Sequence, residues 1–225
     1  MESVVNNNNV EVVQQPKVLR AMATVVSYVL HPVFMPTVMA FVLYKLTPVS
    51  FMGMGNDRMG GFGWLAMIGL NSLFFPLLVV ALLKGLGMNK SFLMDDPRER
   101  IIPLLSVMIF YFWMNHVMGH LSNMPLILHV LTLGSFWGII VIFMINIFFK
   151  ISMHTAAAGS MLGLLIVLMI ISPVNMLEPF SIALVVAGIA GTARMLLNAH
   201  RMSEIWAGYI VGLVVMLAAY GYLLW

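Results

Sequence analysis

The chain has 225 residues, of which 62% are hydrophobic and 8% are charged, and its formal net charge is +3. Soluble domains carry about 25% charged residues, so this composition excludes a soluble globular protein and predicts that most of the chain lies in lipid. The small net charge provides no basic stripe of the kind that binds nucleic acid. The lack of cysteine excludes disulfides and thiolate metal sites.

The first 19 residues are polar and rich in asparagine, and they predict a flexible tail rather than a signal peptide. Residues 20–225 are predicted to form a single all-α domain, a polytopic transmembrane bundle of six to seven helices. The first apolar run contains His31, Pro32 and Pro36, which predict a kink or a re-entrant turn and leave the count open. The predicted spans are 21–46, 61–87, 101–120, 125–149, 155–174, 179–198 and 204–225.

Three polar clusters, at 88–100, 150–154 and 198–204, are separated from one another by two predicted spans each. An even number of crossings returns the chain to the same side, so all three clusters are predicted on one membrane face, called face A here. The opposite side is face B. Nine Lys and Arg residues fall on face A, at positions 17, 20, 84, 90, 98, 100, 150, 194 and 201, against Lys45 and Arg58 on face B. The positive-inside rule then predicts that face A is cytoplasmic.

The residue types gathered on face A suit phosphoryl transfer. One guanidinium group can donate hydrogen bonds to two phosphate oxygens at once. The start of the helix after Ser152 offers backbone amides to an anion. His200 and Glu204 are four residues apart, which on a shared helix places them on one face. The carboxylate could then hold one ring nitrogen and leave the other as a nucleophile. His154 could then protonate a leaving oxygen. The candidate site residues are Lys90, Arg98, Arg100, Ser152, His154, Arg194, His200 and Glu204.

These residues resemble the three signatures of the type 2 phosphatidic acid phosphatase superfamily, in the family's order. Arg194, His200 and Glu204 have the spacing of the third signature, with Glu in place of Asp. The segment from Ser152 to His154 is similar to the second signature, Pro-Ser-Gly-His, with Ile151 and Met153 replacing Pro and Gly. The segment from Arg98 to Pro103 resembles a degraded first signature, which is a Lys, six residues and Arg-Pro. The resemblance covers about residues 88–215.

The resemblance implies an integral membrane lipid phosphatase that needs no metal or other cofactor. His200 would become phosphorylated, Glu204 would orient it, and His154 would be the general acid. Arg100, Arg194 and Ser152 would hold the phosphate, and either Lys90 or Arg98 would stand in for the missing first-signature lysine. The implied substrate is a lipid phosphomonoester or diphosphate, such as phosphatidic acid, phosphatidylglycerol phosphate or a polyprenyl diphosphate. A bacterial inner membrane is the expected location.

Two other functions stay open on the sequence. Met153 and the degraded first signature favour an inactive relative that binds or transports anionic phospholipid. His116, His120 and His129 near face B could instead hold a metal or haem.

Two expectations concern helix packing. Asn71, Asn115 and Asn146 are predicted to tie helices together, and Gly208-x3-Gly212 predicts a close helix contact. That glycine contact could lie within one chain or between the chains of a homo-oligomer.

Overall fold

The computed structural model describes residues 16–52, 54, 63–87 and 101–225, and all regular structure within them is helical. Seven helical segments of this part are long and apolar enough to cross a membrane, which confirms the predicted all-α transmembrane bundle. The helices are α1 (Lys17–Val29), α2 (Met35–Leu46), α3 (Gly63–Gly69), α4 (Phe75–Gly85), α5 (Ile101–Gly119), α6 (Leu126–Phe148), α7 (Met153–Ile171), α8 (Leu177–Leu196) and α9 (Met202–Leu223).

The first predicted span is two helices joined at a corner, as the prolines predicted. Pro32 has no N–H to continue the ladder of α1, and it forces the residue before it into an extended backbone. His31 accordingly has ψ 135°, and a short 3-10 turn, Pro32–Phe34, leads into α2. α1 begins at Lys17, a few residues before the predicted span and directly after Pro16, whose ψ of 140° lies outside the helical range. The rest of the predicted tail, residues 1–15, lies outside the described residues.

The second span is continuous but irregular. α3 passes into α4 through a π turn at Leu70–Phe74, just before Pro76. A proline in a helix removes one backbone hydrogen bond, and a π turn is a common way to accommodate that loss. The turn places Ser72 against α2, where its hydroxyl lies 2.7 Å from the hydroxyl of Thr37.

α7 is the most deeply buried helix and packs most extensively against α9. Glycines make this approach possible, because a Cβ on Gly212 would collide with the carbonyl oxygen of Ala156, and one on Gly159 with the carbonyl oxygen of Tyr209. The Gly208-x3-Gly212 pair therefore packs within the chain, against α7. This answers the question that the sequence left open about these two glycines.

The three asparagines within the spans behave differently from one another, and Asn71 alone is buried. Asn115 accepts a hydrogen bond from the hydroxyl of Thr132 at 3.1 Å and so ties α5 to α6, as predicted. Asn71 and Asn146 instead donate to carbonyl oxygens four residues earlier in their own helices. Among the described residues, the predicted ties from these two to a neighbouring helix are not found, because an amide in an apolar setting can donate to a carbonyl oxygen of the preceding helical turn.

Candidate functional site on face A

The start of α7 is fixed directly beside the start of α9. Ser152 is fully buried, and its hydroxyl caps α7 by accepting a hydrogen bond from the backbone N–H of Thr155 at 3.4 Å. Its own backbone N–H donates to the carbonyl oxygen of Glu204 at 3.3 Å. Gly208 permits this contact, since a Cβ there would collide with Thr155 Oγ1 and lie 2.7 Å from the carbonyl oxygen of Ser152. Two of the predicted face A clusters therefore meet, as the parity of the spans requires.

His200 and Glu204 form the predicted pair. The Nδ1–H of His200 donates to Glu204 Oε2 at 2.7 Å, and the two side chains are 7% and 18% exposed. The pair does not share a helix, however: His200 precedes α9, and Glu204 lies in its first turn. Asn198, in the left-handed conformation with φ 51°, ends α8 and turns the chain toward His200. With Nδ1–H bound to the carboxylate, a neutral His200 carries its lone pair on Nε2.

Burial of the ring is the largest influence on His200 and lowers its pKa below the usual range. The hydrogen bond to Glu204 opposes this shift, the positive charges of Arg194 and Lys150 add to it, and the charge of Glu204 again opposes it. The net direction is downward, so the ring stays neutral, with a free lone pair, to lower pH than an exposed histidine. A neutral imidazole held by a carboxylate is the form in which histidine acts as a nucleophile.

We expect the acid limb of kcat/KM to lie below about pH 6.5, the ordinary histidine value. Activity is present above the lowered pKa of His200 and is lost as the pH falls through it, because protonation removes the lone pair. Glu204→Gln removes a charge and weakens a hydrogen bond, and both of these raise the pKa of His200 in the wild type. The limb should therefore move to still lower pH, while kcat falls by roughly 10²-fold. The acid limb is measured with the same substrate for both proteins, and a shift of the limb to higher pH in Glu204→Gln would contradict this account.

A second set of side chains lies around Ser27 on α1. The Nε2–H of His154 donates to the carbonyl oxygen of Ser27 at 3.0 Å, and Arg194 Nη1 donates to the hydroxyl of the same residue at 3.3 Å. His31 lies edge-on to His154, with ring centroids 5.4 Å apart and planes at 86°. The charges of Arg194 and His200 both act on His154, so the two groups form one cluster.

The described residues thus bring together five of the eight predicted site residues: Ser152, His154, Arg194, His200 and Glu204. The other three, Lys90, Arg98 and Arg100, lie outside the described residues, and their roles stay predictions. Ser152 is fully buried, and its hydroxyl serves as the cap of α7. Its role as a phosphate ligand also stays a prediction.

Sequence reasoning missed three contributors to this cluster. Lys150 was interpreted as a topology signal, but its Nζ donates to the carbonyl oxygen of Ala199 at 2.8 Å and anchors the loop that carries His200. Ser27 and His31 come from the first span, where the sequence analysis predicted a kink or a re-entrant turn but no part of the site. The available signal was His31 itself, because an ionisable residue within a membrane segment is by default a functional candidate.

The histidines near face B form a separate arrangement. His116 and His120 have ring centroids 4.6 Å apart, and His120 Nδ1 lies 2.7 Å from the carbonyl oxygen of His116. His129 lies against Gly119. Among the described residues, no group of three or more His, Cys, Asp or Glu side chains is arranged to hold a metal ion. The metal or haem alternative stays a prediction.

An apolar groove begins beside the face A histidines and runs into the bilayer region between α2, α6 and α7. Its volume is about 100 Å³, and its lining includes Pro32 and Met153, the chain neighbours of His31 and His154. Leu164, eleven residues further along α7, also lines it, which corresponds to a depth of roughly 16 Å at 1.5 Å per residue. The groove thus begins one residue along the chain from His31 and from His154, and its lining is mainly apolar.

Comparison with known proteins adds no assignment: no protein-family model, no curated protein and no solved structure matches this chain. The arrangement of side chains on face A is therefore the basis for a functional conclusion about this multi-pass membrane protein.

Proposed function

We propose that the protein is a lipid phosphatase, which hydrolyses a phosphomonoester or diphosphate at a lipid headgroup through a phosphohistidine on His200. The observation that carries the proposal is the His200–Glu204 pair, a buried imidazole oriented by a carboxylate, with Arg194 and His154 in the same cluster. This supplies a nucleophile, a fixed cation and a second imidazole, the groups that phosphoryl transfer needs.

The proposed reaction has two steps. In the first, the negative charge of the bound phosphate favours protonation of His154 at Nδ1. The Nε2 lone pair of His200 attacks phosphorus, the bond from phosphorus to the lipid oxygen breaks, and His154 gives its Nδ1 proton to that oxygen. In the second, water attacks the phosphohistidine, His154 takes a proton from the water, and the P–N bond breaks. Arg194 stabilises the charge on the phosphoryl oxygens in both steps. Glu204 holds the His200 ring and stabilises its positive charge.

The apolar groove fits the tail of such a substrate. A lipid phosphate that places its headgroup at His154 and Arg194 can direct its chain past Met153 into the space between α2, α6 and α7. Burying a hydrocarbon chain there is favourable but does not specify its identity, so acyl and prenyl chains both remain compatible. The substrate class is thus defined by the phosphate and by the need for an apolar tail.

Ala157→Phe should obstruct the groove, because Ala157 lines it on α7. We expect KM to rise roughly 10-fold for a long-chain lipid phosphate and to stay near the wild-type value for a short-chain analogue. Gly188→Phe on α8 is the control, since Gly188 is exposed and a Cβ added there meets nothing within 4 Å. Equal effects of Ala157→Phe on both chain lengths would argue against the groove as the tail site.

The function is tested by phosphate release in detergent from phosphatidic acid, phosphatidylglycerol phosphate and polyprenyl diphosphates, with a chelator present. We expect chelator-resistant release from at least one of them. If folded protein releases phosphate from none of these lipids, the proposal that this chain is an enzyme fails.

One observation favours a second candidate function. The Nε2–H of His154 is bound to the carbonyl oxygen of Ser27, so the presumed acid already has an internal partner. Together with Met153 in place of glycine, this contact suits an inactive relative that binds or transports anionic phospholipid. Phosphate-lipid binding that persists in His200→Ala, without turnover by the wild type, would favour this candidate.

We further propose that the protein resides in a bacterial inner membrane with face A on the cytoplasmic side, as the distribution of Lys and Arg favours. Trp225, at the end of α9, then lies on the outer side. A reporter fused after Trp225 that is active only outside the cytoplasm supports this orientation, and one active only inside contradicts it. A homo-oligomer is compatible with the bundle but has no specific support.

A further inference from the structure

His31 is a third imidazole in the face A cluster, contributed by the corner between α1 and α2. Its ring lies edge-on to that of His154, with centroids 5.4 Å apart. Arg194 acts electrostatically on His31 as well as on His154 and His200. The corner therefore brings a polar ring to the place where a phosphate would meet the second imidazole and the guanidinium.

The hydrogen bonds of His31 define its tautomer. The backbone N–H of Val33 donates to Nδ1 at 3.3 Å, so Nδ1 is the acceptor and a neutral ring carries its proton on Nε2. Within the described part of the chain, no residue accepts a hydrogen bond from this Nε2–H. A half-buried donor of this kind, close to a cation, is complementary to an anion.

We propose that His31 binds the substrate phosphate, donating its Nε2–H to a nonbridging oxygen while its Nδ1 caps the turn at Pro32–Phe34. The proposal rests on the proposed function for its substrate, and it adds a ligand from the first span to a site otherwise built on α7, α8 and the start of α9. The corner between α1 and α2 is then part of the active site and not only an irregular connection.

The two ring nitrogens can be tested separately. The side-chain oxygen of asparagine can replace Nδ1 as the acceptor for the N–H of Val33, but asparagine is too short to supply the Nε2–H. The longer side chain of glutamine can place an amide N–H near the position of Nε2, but it does not supply the cap. His31→Asn therefore keeps the turn and removes the phosphate donor, whereas His31→Gln keeps a donor and weakens the turn.

The experiment measures how strongly inorganic phosphate or vanadate raises the unfolding temperature of each variant in detergent, together with phosphate release from a lipid substrate. We expect His31→Asn to keep the unliganded Tm and to weaken anion affinity and kcat/KM by about 10–10²-fold, the effect of one hydrogen bond to a charged group. His31→Gln should lower the Tm and retain anion affinity within a few fold of the wild type.

The anion-binding measurement does not need turnover, so it separates this proposal from the enzymatic one. If the wild type binds phosphate but releases none from any lipid, the enzymatic proposal fails and the two variants still test His31. If His31→Asn binds phosphate or vanadate as tightly as the wild type, His31 is only a helix cap and the inference is wrong. If the wild type shows neither release nor anion binding, both proposals fail together.

Discussion

Replacing His200 with alanine should reduce phosphate release from the preferred lipid by at least about 10³-fold. Removal of a nucleophile leaves only the catalysis due to binding and charge stabilisation, which is far smaller. The fold should be retained, because His200 lies in the short connection between α8 and α9, and its side-chain hydrogen bond within the described residues runs to Glu204 in the first turn of α9. The measurement is the initial rate at saturating substrate, with Tm as the check on folding.

His120→Ala is the control for this prediction. His120 lies near face B, and its recorded hydrogen bond runs to the carbonyl oxygen of His116 in its own chain segment. Its loss should leave release close to the wild-type rate. A His200→Ala protein that retains more than about a tenth of the wild-type rate would show that His200 is not the nucleophile.

Gly212→Ala should destabilise the bundle more than any other single methyl addition on α9. The new Cβ would collide with the carbonyl oxygen of Ala156 and lie 2.6 Å from the backbone nitrogen of Ser160. Backbone atoms cannot rotate away as a side chain can, so α7 and α9 must separate. Overpacking of this kind costs about 1–3 kcal/mol or more, and each kcal/mol lowers Tm by roughly 2–4 °C for a protein of this size.

Gly221→Ala is the matched control, on the same helix and with the same change in composition. A Cβ there meets nothing within 4 Å, and alanine favours helix over glycine, so Tm should stay the same or rise slightly. Gly212→Ala should also reduce activity, because the α7–α9 contact sets the distance from His154 to His200. Equal Tm values for the two variants would contradict the close packing described here.

The helices could be predicted because lipid imposes a simple rule, that a span needs about 20 apolar residues and charges collect between spans. The parity of the spans then placed 150–154 beside 198–204, where Ser152 and Glu204 meet. The spacing of His200 and Glu204 predicted their contact, but through a shared helix that does not exist. The contact forms because Asn198 turns the chain before α9 begins.

The contribution of the first span could not be predicted from spacing. Ser27 is 127 residues before His154, and no local pattern indicates that its carbonyl oxygen lies against that ring. The packing of α7 on α9 was accessible in principle, since Gly159 and Gly163 on α7 have the same spacing as Gly208 and Gly212 on α9. The sequence analysis singled out the pair on α9 but not the pair on α7. The structure identifies α7 as the helix that packs against α9.

The central claim, a covalent phosphate on His200, is tested most directly by stopping turnover in alkali and identifying the phosphorylated residue by mass spectrometry. A phosphoramidate is stable in alkali and labile in acid, unlike a phosphoserine or phosphothreonine ester. We predict an acid-labile phosphate on the peptide that contains His200, present during turnover of the wild type and absent in His200→Ala. Turnover without any phosphorylated His200, or with phosphate on another residue, would contradict this mechanism.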